Sequence, residues 1–194
     1  MIQSKGAKTP MVSTCKLTNE GSNYLPNPSH YRSIVGVLQY ATLTRPEICY
    51  AVNKVCQFMA APLEEHWQAV KHMLRYLSGT ITHGLIIKPF PLKTMSLSIS
   101  AFCDADWASD PTDRKSTSGS CVFLGSNIIS WWSRKQLCVA RSSTEAEYRI
   151  LAYTAAELLW IQFLLKELQV PFAIPSDNLS TVQLCSQSCL TLQN

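Results

Sequence analysis

The hydrophobic period of this chain changes from helical to strand-like between residues 80 and 95. Over residues 30–80 apolar side chains recur at helical spacing, and over 95–107 Leu97, Ile99, Ala101 and Cys103 alternate with Ser98, Ser100, Phe102 and Asp104. A segment patterned for a helix does not pack as a strand, nor the reverse, so one chain must hold two differently built regions. In the first region, Tyr31, Ile34, Val35, Leu38 and Leu43 predict one helix; Ile48, Val52, Val55, Cys56 and Met59 predict a second, with Pro46 in its first turn. After Pro62, Leu63, Trp67, Val70, Leu74 and Leu77 predict a third helix that stops at Gly79. Residues 30–80 therefore read as a small all-α segment, and 1–29, polar and punctuated by Pro10, Gly21, Pro26 and Pro28, as an exposed or linker stretch.

From residue 95 the order is strand, strand, strand, helix, strand, helix. MSLSISAFCDADW alternates, SCVFLG and NIISWWS are two short strands joined around Gly125-Ser126-Asn127, and residues 142–170 form one long helix capped by Ser142, Ser143 or Thr144. A short strand, PFAIPS, and a last helix, DNLSTVQLCSQ, complete an α/β domain with a mixed sheet. Hydrophobic residues make up 46% of the chain and charged ones 15%, enough to fill cores in both regions. The net charge of +4 permits a polyanionic partner.

Three acids are placed to do chemistry. Asp104 lies near the end of the first strand, Glu147 in the first turns of the long helix, and Asp177 between the fourth strand and the last helix. Carboxylates that converge repel one another unless a hard cation joins them, and Mg²⁺ or Mn²⁺ suits an all-oxygen ligand set. Glu147 shares a helical stripe with Leu151, Leu158 and Leu165, whereas Glu145 points away, four residues before Arg149, and reads as a surface ion pair. Asp106 shares the strand face of Asp104 and reads as a turn-capping residue; Asp177 also suits a helix N-cap.

Other chemistry finds less support. His30, His66, His72 and His83 lack zinc spacing and are expected on helix surfaces. Ser142-Ser143 sits in no nucleophile elbow. Trp131 and Trp132 should face opposite sides of a strand, one in the core and the other covering the sheet or stacking on a base. Arg114, Lys115, Arg134, Lys135 and Arg141 are scattered near the acids and could meet phosphates. The eight cysteines form no CxxC pair and lie mostly in apolar runs, which predicts buried free thiols. With no apolar leader and no run long enough to span a bilayer, the chain is expected to be intracellular, with cytoplasm and nucleus equally compatible.

These acids sit inside a long phrase, AFCDADWASDPTDRKSTSGSCVFLGSNIISWWSRKQLCVARSSTEAEYRILAYTAAELLWIQFLLKEL, that resembles the RNase H-like domain of copia-type LTR retrotransposon Pol polyproteins. Upstream, YRSIVGVLQYATLTRPEICYAVNKVCQFM and HWQAVKHMLRYLSGT are similar to the C-terminal end of the same elements' reverse transcriptase, and KTPM to the phrase before it. The resemblance covers roughly residues 8–185 and implies three parts: a linker (1–29), the helical end of a reverse transcriptase (30–80), and an RNase H-like mixed sheet flanked by helices (95–187). It also implies two divalent ions, Mg²⁺ or Mn²⁺, held by Asp104, Glu147 and Asp177, and cleavage of the RNA strand of an RNA–DNA hybrid to leave a 3′-hydroxyl. The partners implied are the hybrid and the upstream reverse transcriptase portion of the polyprotein, with no membrane. Three departures stand out. No Tyr-x-Asp-Asp phrase is present, so the chain is not expected to polymerise. After Val182 the sequence leaves the family's basic, His-containing phrase and its fourth acid, so the domain is expected to be cut short. Pro175 interrupts the strand before Asp177. A non-catalytic nucleic-acid-binding module, or an inactive relic, is the alternative reading.

Overall fold

A computed structural model of the chain describes residues 6–12, 17–89, 97–170, 172–173 and 182–184. It divides into two compact units, Met1–Leu85 and Ile86–Asn194.

The first unit is helical. Asn27 opens α1 (Pro28–Ala41): its side chain accepts the His30 N–H at 3.2 Å, and Pro28 occupies the first turn, where a missing donor does no harm. Pro46 starts a short 3₁₀ turn (Pro46–Ile48) that runs into α2 (Cys49–Cys56), and α3 covers Glu64–Gly79. Tyr31, Val35 and Leu38 meet Ile48, Val52, Val55, Val70 and Met73 in one core, and the buried Tyr31 hydroxyl donates to the Val55 carbonyl at 2.8 Å. Leu43, expected inside, is exposed in the turn that follows α1.

The inner face of α3 also differs from expectation. Its buried residues are His66, Ala69, Val70, Met73 and Tyr76, while Trp67, Leu74 and Leu77 are only partly buried. His66, expected on the surface, is fully buried and sets this rotation. Its Nδ1 accepts the Leu63 N–H at 3.0 Å, its Nε2 lies 3.0 Å from the Thr18 carbonyl, and its ring stacks on Phe58 with centroids 3.8 Å apart. With Nδ1 accepting, the proton belongs on Nε2, which donates to Thr18. Burial, opposed by the Thr18 bond and the Glu65 charge, lowers the His66 pKa. Residues 17–25 are thus more than a linker. Leu17 is in the core, the Leu25 N–H donates to the Pro62 carbonyl, and the Glu64 N–H to the Asn23 carbonyl.

The second unit is mixed α/β. Strands β1 (Leu97–Asp106), β2 (Thr117–Leu124) and β3 (Asn127–Lys135) form an antiparallel meander, with β1 and β2 in register from Ile99↔Leu124 to Asp106↔Thr117. Gly125 begins the β2–β3 turn at φ 59°, a left-handed conformation that glycine adopts without strain. Helix α4 (Ser143–Glu167) packs Leu158, Ile161 and Leu165 on Ile99, Ala101 and Val122. The buried Thr154 hydroxyl also donates to the Ser120 hydroxyl at 3.1 Å. Two short strands, β4 (Phe172–Ala173) and β5 (Val182–Leu184), pair parallel with the other edge of β1, at Leu97–Ser98 and Ala101–Cys103. A final helix was expected across 177–187, but Val182–Leu184 is strand; β1 otherwise presents an unpaired ladder there, and a short Val-Gln-Leu segment can supply the missing backbone partners.

Candidate functional site

Alternation along β1 puts Cys103 and Asp104 on opposite faces. The lateral neighbour of Asp104 on β2 is Gly119, which brings no side chain against the carboxylate. One carboxylate oxygen of Asp104 accepts the Ala105 N–H at 2.9 Å. Burial raises the Asp104 pKa; the Ala105 bond opposes this, and the charges of Asp106 and Glu147 add to it. Acids from β1 and from the start of α4 therefore lie within electrostatic reach of one another.

The buried stripe of α4 is Ala146, Ile150, Thr154, Leu158, Ile161 and Leu165. Glu147 and Leu151 are half-buried at its border rather than at its centre, one position off the expected line. Glu145 is engaged elsewhere: it accepts from Arg149 at 2.6 Å and from the Arg141 N–H at 2.7 Å, the surface pairing its spacing predicts. Ser142 is the N-cap, its hydroxyl accepting the Glu145 N–H at 3.1 Å. Asp106 is exposed beside Asp104. Asp177 lies outside the described residues. Among the described residues no three His, Cys, Asp or Glu side chains form a metal-sized cluster.

The candidate phosphate contacts are placed unevenly. Lys135 is held by Asp110 at 2.7 Å and Asp113 at 3.0 Å, and Lys115 lies 3.5 Å from Asp113. Arg114 is exposed at φ 56° in the β1–β2 loop, and Arg141 is exposed just before α4. Exposed Arg134 lies over the Trp132 ring, 5.3 Å from its centroid. Trp131 and Trp132 are both half-buried, so neither is the core residue expected. Of the cysteines among the described residues, Cys49, Cys56, Cys103, Cys121 and Cys138 are free thiols; only Cys103 is buried, and Cys138 is exposed.

Trp107 was not anticipated. Its indole N–H donates to the Ala140 carbonyl at 3.0 Å, linking the acid-bearing end of β1 to the approach to α4. The available signal was an aromatic directly after the Asp-Ala-Asp phrase. Buried Gln136 makes a second link, donating to the Ser118 hydroxyl at 2.9 Å and to the Ala146 carbonyl at 3.1 Å.

Comparison with known proteins fixes the ancestry. The chain is 47% identical over 190 residues to the retrovirus-related Pol polyprotein from transposon RE2 of Arabidopsis thaliana, a match covering 96% of this chain and 13% of that protein. It is 49% identical over 190 residues to the corresponding polyprotein of transposon RE1, with the same coverage. The chain belongs to the copia-type retrotransposon Pol polyproteins. It is also 51% identical over 160 residues to an uncharacterised mitochondrial protein of Arabidopsis thaliana, covering 82% of this chain and 65% of that one. The chain spans about 13% of the length of the first Pol relatives it matches. No family model matches it, and no solved structure does. Within this Pol segment both described candidate acids, Asp104 and Glu147, fall in the second unit. Among the described residues no helix is long and apolar enough to cross a membrane.

Proposed function

We propose that the second unit of this Pol segment is an RNase H-like domain that cleaves the RNA strand of RNA–DNA hybrids with Mg²⁺ or Mn²⁺. The observation that carries this reading is the placement of Asp104 at the end of β1 and Glu147 in the first turns of α4, the helix that packs on that sheet; burial first, and the Asp106 and Glu147 charges after it, raise the Asp104 pKa. A fold gains nothing by bringing like charges together, whereas a hard-cation site requires it. Asp104, Glu147 and Asp177 would hold the ions. Bound ions of this class activate a water and stabilise the leaving oxygen of a phosphodiester. The chain's own contribution is placement. Asp104 is held by its Ala105 bond and faces Gly119, which leaves its approach uncrowded. Glu147 rides on a helix whose first turn is fixed by the Ser142 cap and the Glu145–Arg149 pair. Exposed Arg114, Arg134 and Arg141 are available to the backbone phosphates of a hybrid. The upstream reverse transcriptase portion of the polyprotein would deliver that hybrid.

The test is incubation of the purified chain with labelled hybrid and Mg²⁺, beside Asp104→Asn. Cleavage of the RNA strand by the parent and none by the variant is expected; hybrid left intact by both defeats the catalytic reading. A second reading, binding without cleavage, is favoured by the exposed Arg134 guanidinium over Trp132, an arrangement suited to stacking and phosphate contact together. It predicts a gel shift with hybrid that weakens steeply as salt rises, because phosphate contacts displace condensed counterions.

A further inference from the structure

The segment leading into α4 is one cross-braced piece. Arg149 reaches back to the Cys138 carbonyl at 3.1 Å, the Glu145 carboxylate accepts the Arg141 N–H at 2.7 Å, and Ser142 caps the helix at 3.1 Å. Glu147 belongs to this piece and moves with it. Asp104 belongs to β1, three residues before Trp107. Helix α4 packs on the sheet through Leu158, Ile161 and Leu165, and Ala146 and Ile150, on either side of Glu147, are fully buried. Two hydrogen bonds add to this packing in placing the turn relative to the strands. One is the Gln136 amide, which reaches the Ala146 carbonyl from the end of β3. The other starts from β1 itself: the Trp107 indole on the Ala140 carbonyl, at 3.0 Å.

We propose that Trp107 is a positioning residue, whose indole N–H fastens the braced 138–149 segment to the end of β1 and so sets where Glu147 stands relative to Asp104. The ring itself is 46% exposed, so it fills little of the core, and its polar edge is the part engaged. A tie of this kind acts as the outer support of a site: it touches neither carboxylate, yet it fixes the separation that a shared cation must bridge. The inference rests on the nuclease reading for its purpose, but its structural content can be measured separately.

The experiment compares the full chain with Trp107→Phe, which keeps a smaller aromatic ring and deletes the donor. The first readout is amide hydrogen exchange without metal. Arg141–Glu147 should lose protection by about fivefold, as expected when one hydrogen bond of about 1 kcal/mol is removed, while Ile150–Ile161 keep theirs. The second is Mn²⁺ binding to each protein, read by calorimetry with the metal alone. The variant should bind about tenfold more weakly, the scale of an outer-support loss. Unchanged exchange at 141–147, or a loss spread evenly along α4, overturns the positioning role. Parent and variant binding Mn²⁺ equally well overturns it too. If the parent itself binds no Mn²⁺, the nuclease reading fails, and the exchange pattern still decides whether Trp107 places this turn.

Discussion

The His66 imidazole and the Thr18 carbonyl lie 3.0 Å apart across 48 residues of sequence, inside the helical unit. That contact needs a proton on Nε2, and the Leu63 N–H, donating to Nδ1, needs the other ring nitrogen bare. A proton on Nδ1 would also face the Leu63 N–H, donor against donor. Burial holds the His66 pKa below its ordinary value. The unfolded chain therefore takes up a proton first as pH falls. Stability is full above the unfolded value of about 6.5 and drains away as pH drops through and below it. Urea unfolding at pH 7.5 and pH 5.5 should show this loss, and His66→Gln, which can both accept and donate, should flatten it. An equal pH slope in the two proteins would refute the assignment.

Asp104→Asn should trade function for stability. Burial and the charges of Asp106 and Glu147 disfavour the ionised form in the folded state. Above the carboxylate range the native protein carries that strain; in acid, where the group is protonated, it does not. The amide side chain keeps an oxygen for the Ala105 N–H and removes the charge. The thermal midpoint at pH 7 should rise while hybrid cleavage disappears, and the rise should vanish near pH 3. A lower midpoint at pH 7 would mean that Asp104 is a structural acid.

Glu145 and Glu147 should separate cleanly by substitution with Gln. Glu145→Gln weakens the contacts to Arg149 and the Arg141 N–H, and should lower the thermal midpoint while hybrid cleavage persists. Glu147→Gln should leave the midpoint unchanged or higher and abolish cleavage. The reverse pattern would shift the helix acid by two residues.

Tyr31→Phe tests the first unit. The hydroxyl is buried and donates to the Val55 carbonyl at 2.8 Å, which also accepts the Phe58 N–H at 3.2 Å, so its removal takes away one of that carbonyl's two donors. A loss of about 1 kcal/mol follows, the net value of one hydrogen bond. For a unit of this size each kcal/mol lowers the midpoint by roughly 4–8 °C. A change within error would show that water replaces the lost donor freely.

Much of the architecture was legible in the residues, because it rests on local rules. The shift of period, the Ser142 cap, the Gly125 turn and the Glu145–Arg149 pair are short-range signals, and the structure contains each of them. What escaped prediction depends on contacts distant in sequence. His66 looks like a surface residue until Thr18 and Phe58 are brought beside it. Trp107 looks like the end of a strand until Ala140 accepts its proton. Val182–Leu184 has a helix-compatible pattern, and only the open edge of β1 makes it a strand. At the site, the choice of Glu147 over Glu145 came from helical geometry, but the true stripe is displaced by one position near Ala146 and Ile150. Asp177, outside the described residues, remains a proposal.

The register of β1 carries a kinetic consequence. Its β2 partners follow within about twenty residues, but Ala101–Cys103 must wait for Val182–Leu184. At ribosomal speeds of about 5–20 residues per second, that interval is on the order of 4–16 s. Throughout it, nascent chains on neighbouring ribosomes would present the same bare ladder to one another. Slow translation of the stretch after α4 should therefore favour intermolecular strand exchange, and yield of the folded chain should depend on synthesis rate more than on temperature.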